Sequence, residues 1–92
     1  MTNYAKLGEY TAYKKQAQDA ADRRRLRLAM LERKAGDLKN LCAVAIDVPE
    51  LTALQQDAVR AEEEMRAAVE MANQAAPLCG VQKIDLKLLM DI

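Results

Sequence analysis

An unbroken heptad seam within residues 47–76 constrains this chain more than any other feature. Leu51, Leu54, Ala58, Ala61, Met65, Ala68, Ala72 and Ala75 alternate in steps of three and four. That spacing keeps one apolar stripe turned toward a neighbouring helix. The start is as clear as the seam. Asp47 and Glu50 stand at N-cap and N3 spacing, and Pro49 lies in the first turn, where its missing N–H leaves no bond unmade. Pro77 and then Gly80 mark the end. The segment reads as a helix over residues 49–76, and a helix with such a seam requires a partner.

The partner is within the chain. Carried backwards, the same heptad passes through Leu7, Tyr10, Lys14, Ala17, Ala21, Arg24, Leu28, Leu31, Ala35, Leu38, Cys42 and Ala45, of which only Lys14 and Arg24 are charged. Residues 2–46 therefore read as one long helix, with Thr2 or Asn3 as its cap. A residue before proline avoids helical geometry, so this first helix ends by Val48. A turn at residues 47–49 is short enough to force antiparallel neighbours. Cys42, Val44, Ile46 and Val48 also alternate as a strand does, but the heptad continues through Cys42 and Ala45 and favours helix.

Charge agrees with a hairpin. Residues 1–46 carry ten Lys/Arg and five Asp/Glu, and residues 47–77 carry two and seven. Folding back at residue 47 places residue i near residue 95 − i. Arg33 and Lys34 then face Glu62, Glu63 and Glu64, and Arg24 and Arg25 fall near Glu70. Exposed pairs contribute at most about 1 kcal/mol each, so they select register more than they stabilise. Apolar residues make up 51% of the chain but aromatics only 3%, with no Phe or Trp. Alanine forms most of the seam and contributes little on burial, so a chain of 92 residues has a marginal core. A homodimer packed as a helical bundle, or a stable protein partner, is expected.

Residues 81–92 admit two readings. Ile84, Leu86, Leu88, Met90 and Ile92 alternate as in a strand, whereas Asp85 is placed to cap a short helix with Leu86, Leu89 and Met90 on one side. With no second strand to pair with, the helix is favoured. It folds back over Tyr10, Tyr13, Val69 and Ala76, covering two of the three tyrosines. Cys42 and Cys79 fall near opposite ends of the second helix, about 40 Å apart at 1.5 Å per residue, too far for a bridge. They read as free thiols.

The residue inventory argues against an enzyme. The chain contains no histidine and no serine, which removes the common nucleophile–base pairs and every histidine-containing metal site. Its glycines stand apart at 8, 36 and 80, so no phosphate-cradling loop is present. Glu62, Glu63 and Glu64 point about 100° apart around a helix and do not converge. No catalytic residue, cofactor or metal is expected. No apolar run approaches a membrane span, and the first ten residues lack a signal-peptide core, so the default compartment is the cytoplasm.

Two interaction surfaces remain. Leu26 and Met30 lie four apart on the outer side of the first helix, bordered by Arg23, Arg27 and Arg33, as an apolar spot with a cationic rim. Ile84 and Leu88 offer a second apolar contact in the tail. The basic stretch Arg23, Arg25, Arg27, Arg33 and Lys34 supports an alternative, a nucleic-acid-binding helical dimer. Zero net charge and the absence of interleaved aromatics count against it. The expectation is a single all-α domain over residues 1–92, a long antiparallel coiled-coil hairpin with a short C-terminal element. Its expected role is stoichiometric protein binding. In outline it is similar to small helical co-chaperones, anti-adaptors and inhibitors, an architectural likeness that carries no residue across.

Overall fold

The computed structural model of the chain describes residues 3–40 and 45–90. Helices account for 87% of these residues and none of them lies in a strand, so the fold is all-α. Helix α1 spans Tyr4–Asn40 and α2 spans Val48–Ala75; a 3-10 turn, Ala76–Leu78, leads towards the short helix α3, Leu86–Met90. Arg23 meets Glu64, Arg27 meets Asp57 and Lys34 meets Glu50, which makes α1 and α2 antiparallel neighbours. The molecule measures 64 × 20 × 13 Å with a radius of gyration of 17.6 Å. A compact domain of this length has a radius of about 12 Å.

Each helix end has a local cause. Asn3 caps α1, its side-chain oxygen accepting from the Lys6 N–H at 3.2 Å. Asp47 caps α2, accepting from the Glu50 N–H at 3.0 Å, and Pro49 sits in the first turn. At the other end Pro77 has no N–H to continue the ladder. The chain then reverses through Gly80, whose φ of 73° suits a residue without a side chain, while the Val81 N–H reaches back to the Ala76 carbonyl. This six-to-one bond is the Schellman ending of a helix.

The expected first helix over residues 2–46 and turn over 47–49 are corrected at the fold-back. Ala45, Ile46 and Asp47 are not helical, and the reversal lies between Asn40 and Val48. Moving its centre back by about four to five residues changes the register: residue i meets residue 84 − i to 87 − i rather than 95 − i. Arg33 and Lys34 consequently make no ion pair with Glu62, Glu63 or Glu64. Arg24 takes Glu62 and Arg23 takes Glu64, whereas Arg25 binds Asp22 on its own helix instead of lying by Glu70. Thr2, Cys42 and Val44 lie outside the described residues, as do Asp91 and Ile92.

The α2 seam is inside along its whole length: Leu51 and Leu54 are half-buried and the six positions from Ala58 to Ala75 are buried. On α1 the row Tyr10, Ala17, Arg24, Leu31 and Leu38 also faces inwards. Its companion row does not. Ala21 is buried, but Lys14, Leu28 and Ala35 are exposed, and Arg27 and Lys34 lean in towards α2 in place of Leu28 and Ala35. The reason is α3. It covers one face of the hairpin near Ala21, and no described element continues that cover to Leu28.

Helix α3 completes the core. Leu89 joins Ala17, Ala20, Ala21, Met65, Ala68 and Val69, with Ile84, Leu86 and Met90 packed against them. Leu86, Leu89 and Met90 thus share the inner side, and Asp85 accepts from the Lys87 N–H at 2.9 Å. The segment before α3 is held by polar contacts. The Asn73 amide donates to the Ile84 carbonyl at 3.1 Å and accepts from the Ile84 N–H at 2.6 Å, and the Tyr10 hydroxyl donates to the Gln82 carbonyl at 3.2 Å. Cys79 is a buried free thiol whose Sγ lies 3.5 Å from the Ala76 carbonyl.

Among the described residues, Met65 is the one large side chain that is fully buried. Met65→Ala is expected to cost about 2–5 kcal/mol, a large share of a small domain's stability, read as a lower urea midpoint. Asn73→Ala leaves the Ile84 backbone N–H and C=O without their partner. Faster amide exchange at Ile84 and Leu89, with α1 and α2 still protected, is the expected result.

Candidate functional site

The basic run of α1 is not a free cationic surface. Arg27 Nε donates to Asp57 Oδ2 at 2.5 Å, and Asp57 Oδ1 lies 3.9 Å from Arg23 Nε. Arg23 Nη1 reaches Glu64 at 2.9 Å, and Lys34 Nζ reaches Glu50 at 2.5 Å. Arg24 pairs with Glu62 at 3.3 Å, and Arg66 of α2 approaches the same carboxylate at 3.9 Å. Of the five residues of the nucleic-acid reading, Arg23, Arg27 and Lys34 are engaged across the helix interface and Arg25 along α1. Only Arg33 makes no ion pair among the described residues.

These contacts act on the charges themselves. The hydrogen bond from Arg27 holds the Asp57 carboxyl below its usual range, against partial desolvation and with help from the fields of Arg27, Arg23 and Arg60. The hydrogen bond to Glu64 raises the Arg23 guanidinium in the same sense. Both shifts favour the charged forms. The network therefore stays ionised and locally neutral.

The first apolar spot is altered by this geometry. Leu26 is 56% exposed on the outer side of α1. Met30 is half-buried, and its sulfur accepts from Arg27 Nη1 at 3.5 Å. Of the three arginines expected as the rim of this spot, Arg23 and Arg27 are turned toward α2 and paired there, while Arg33 is exposed. The second spot divides as well. Ile84 is packed against the core and its backbone is held by Asn73, so it is no free contact, whereas Leu88 is 65% exposed. Leu88 stands beside Tyr10 and Lys14, so Leu26 lies twelve residues or more further along α1, about 18 Å away. The two spots do not form one surface.

The structure adds a groove that the heptad did not mark. It is an open hollow of about 590 Å³ between α1 and α2, lined by Tyr13, Ala20, Ala67, Ala68 and Met71 and by the Arg23–Glu64 pair. Residues one apart on a helix point about 100° from each other. Ala20 and Ala68 border this groove, which no described residue of α3 lines, whereas Ala21 and Met65 border a separate hollow with Met90 of α3. The only sequence signal for it is the pair of alanines at 67 and 68, one of them off the seam.

Among the described residues no three metal-ligating side chains converge, and no helix is long and apolar enough to cross a membrane. Comparison with protein-family models, with curated proteins and with solved structures gives no match.

The lowered Asp57 carboxyl sets a pH dependence. A depressed carboxylate contributes stability above its unfolded value, and that contribution is lost as pH falls through the folded one. Wild type is therefore expected to lose stability below about pH 4. Asp57→Asn lacks the ion pairs at every pH, so its deficit relative to wild type narrows on acidification. Urea midpoints measured between neutral and acid pH check this.

Proposed function

We propose that this chain is a small, non-enzymatic protein-interaction module of the chaperone, adaptor or inhibitor type, which acts by occupying a partner protein's surface with a helical face. The observation that carries the reading is the fate of the charges. Three of the five α1 cations that a polyanion would contact are held by α2 carboxylates, while large apolar side chains remain outside: Leu26, Leu28, Leu88 and Val59. Apolar contact with a polar rim is what protein interfaces use, whereas nucleic-acid binding needs accessible cations along a phosphate backbone. The alternative of a nucleic-acid-binding helical dimer is left with Arg33 as its one unengaged member. The cytoplasm is the compartment in which we place this activity.

Capture from a lysate at moderate salt, with and without nuclease, tests the reading. One protein recovered in stoichiometric amount regardless of nuclease is the expected result, with recovery reduced at least tenfold by Leu26→Glu or Leu88→Glu while helical content is kept. Titration of labelled duplex or single-stranded DNA at about 50 and 200 mM salt supplies the opposing result. Tight binding that collapses between the two concentrations overturns the reading in favour of the phosphate-driven alternative.

A further inference from the structure

We infer that the half of the hairpin nearer the fold-back opens as a unit while the half beside α3 stays folded. The opening half comprises residues 22–40 of α1 and 48–57 of α2, and the ion pairs across it act as its latch. Burial divides the molecule in this way. Every buried residue among those described lies within residues 17–21 or 58–89. The core cluster that α3 completes reaches no further towards the fold-back than Ala21 and Met65. Beyond it no described residue is buried. The inward leucines there, Leu31, Leu38, Leu51 and Leu54, are half-buried, and Leu38 and Leu51 border a hollow of about 80 Å³.

What closes that half is charge placed over sparse apolar contact. Asp57 takes Arg27 at 2.5 Å and lies 3.9 Å from Arg23, and Glu50 takes Lys34 at 2.5 Å. These side chains keep between 28% and 45% of their surface exposed, so each pair is individually modest. A modest pair is a large share of what holds a stretch with no buried residue. It is a small share of what holds the half around Met65. Once open, the stretch has little to keep it helical. Its ten residues of α2 are fewer than the roughly 12–15 below which an isolated helix is marginal in water. Gly36 weakens the α1 portion, and nothing lies within 4 Å of where a side chain would stand, so no packing offsets its cost. Regions with few buried contacts open first, and here that uncovers Leu31, Leu38, Leu51 and Leu54 without unfolding the molecule. Salt screens pairs that are part-exposed, so ionic strength sets how often this half opens.

Amide hydrogen exchange of the purified protein, followed residue by residue by NMR, tests this. The amides of Leu31, Leu38 and Leu54 are expected to exchange roughly tenfold faster, or more, than those of Ala61, Met65 and Ala68. Val69→Ala, which trims the buried half, is expected to speed the second group severalfold and leave the first unchanged, because the open form keeps that half folded. Asp57→Asn and Glu50→Gln each speed the first group about threefold. Glu63→Gln, at an exposed carboxylate outside these pairs, does not. The gain in Asp57→Asn shrinks when sodium chloride is raised from about 0.05 to 1 M. Gly36→Ala slows exchange at Leu31 and Leu38 about fivefold, since it favours the helix that opening unwinds. Comparable rates in the two groups overturn the inference. So does equal acceleration of both groups by Val69→Ala, which marks a single cooperative unit. Acceleration by Glu63→Gln that matches Asp57→Asn and Glu50→Gln overturns the role of the ion pairs as the latch.

Discussion

The close approach of two alanine-lined helices is the constraint from which the rest of this structure follows. Where Ala17, Ala20 and Ala21 of α1 pack with Ala68 of α2, little side-chain volume separates the backbones. Each buried methyl removes little apolar area from water, so the stability of the pair depends on how closely it packs. Met65 is the exception, the single long side chain among the described residues that is fully buried, and α3 adds Leu86, Leu89 and Met90 where the hairpin alone has too little to bury. Asn73 fixes α3 by satisfying both backbone groups of Ile84 in a region that offers no strand to pair with.

A core this lean places demands on the surface. Helices held mainly by alanine have weak preference for register, and the cross-helix pairs at Arg23, Arg24, Arg27 and Lys34 supply it. Each is partly exposed and individually modest, but together they oppose any sliding of α1 along α2. The same pairs engage four of the ten cations of α1. The residues that fix the register are thus also the ones that turn part of the basic run of α1 in towards α2.

Much of this was legible in the sequence, for identifiable reasons. The α2 seam is apolar at every position and bounded by Asp47, Pro49, Pro77 and Gly80, so both its face and its ends could be read directly. The row from Tyr10 to Leu38 on α1 was legible even with Arg24 in it, because an arginine that pairs across an interface keeps its stem inside. Asp85 and the spacing of Leu86, Leu89 and Met90 pointed to a short helix. The fold-back was not legible, because residues 41–47 contain no Gly, Pro, Asn or Ser to mark where a helix stops. That displaced the register, and with it the acids assigned to each arginine. Arg23 and Arg27 were therefore read as an open rim when they are engaged. The exposure of Leu26 and Leu88 follows from helical spacing, but the burial of Ile84 depends on Asn73, and no local pattern links residues eleven apart across a turn.

The register is the claim on which both the charge assignment and the groove geometry rest. A double-mutant cycle on Arg27 and Asp57, run beside one on Arg33 and Glu62 by urea unfolding, tests it most directly. The account predicts a coupling free energy clearly different from zero for the first pair and none for the second. Coupling between Arg33 and Glu62, with Arg27 and Asp57 independent, would show that the helices meet in the other register and contradict the account.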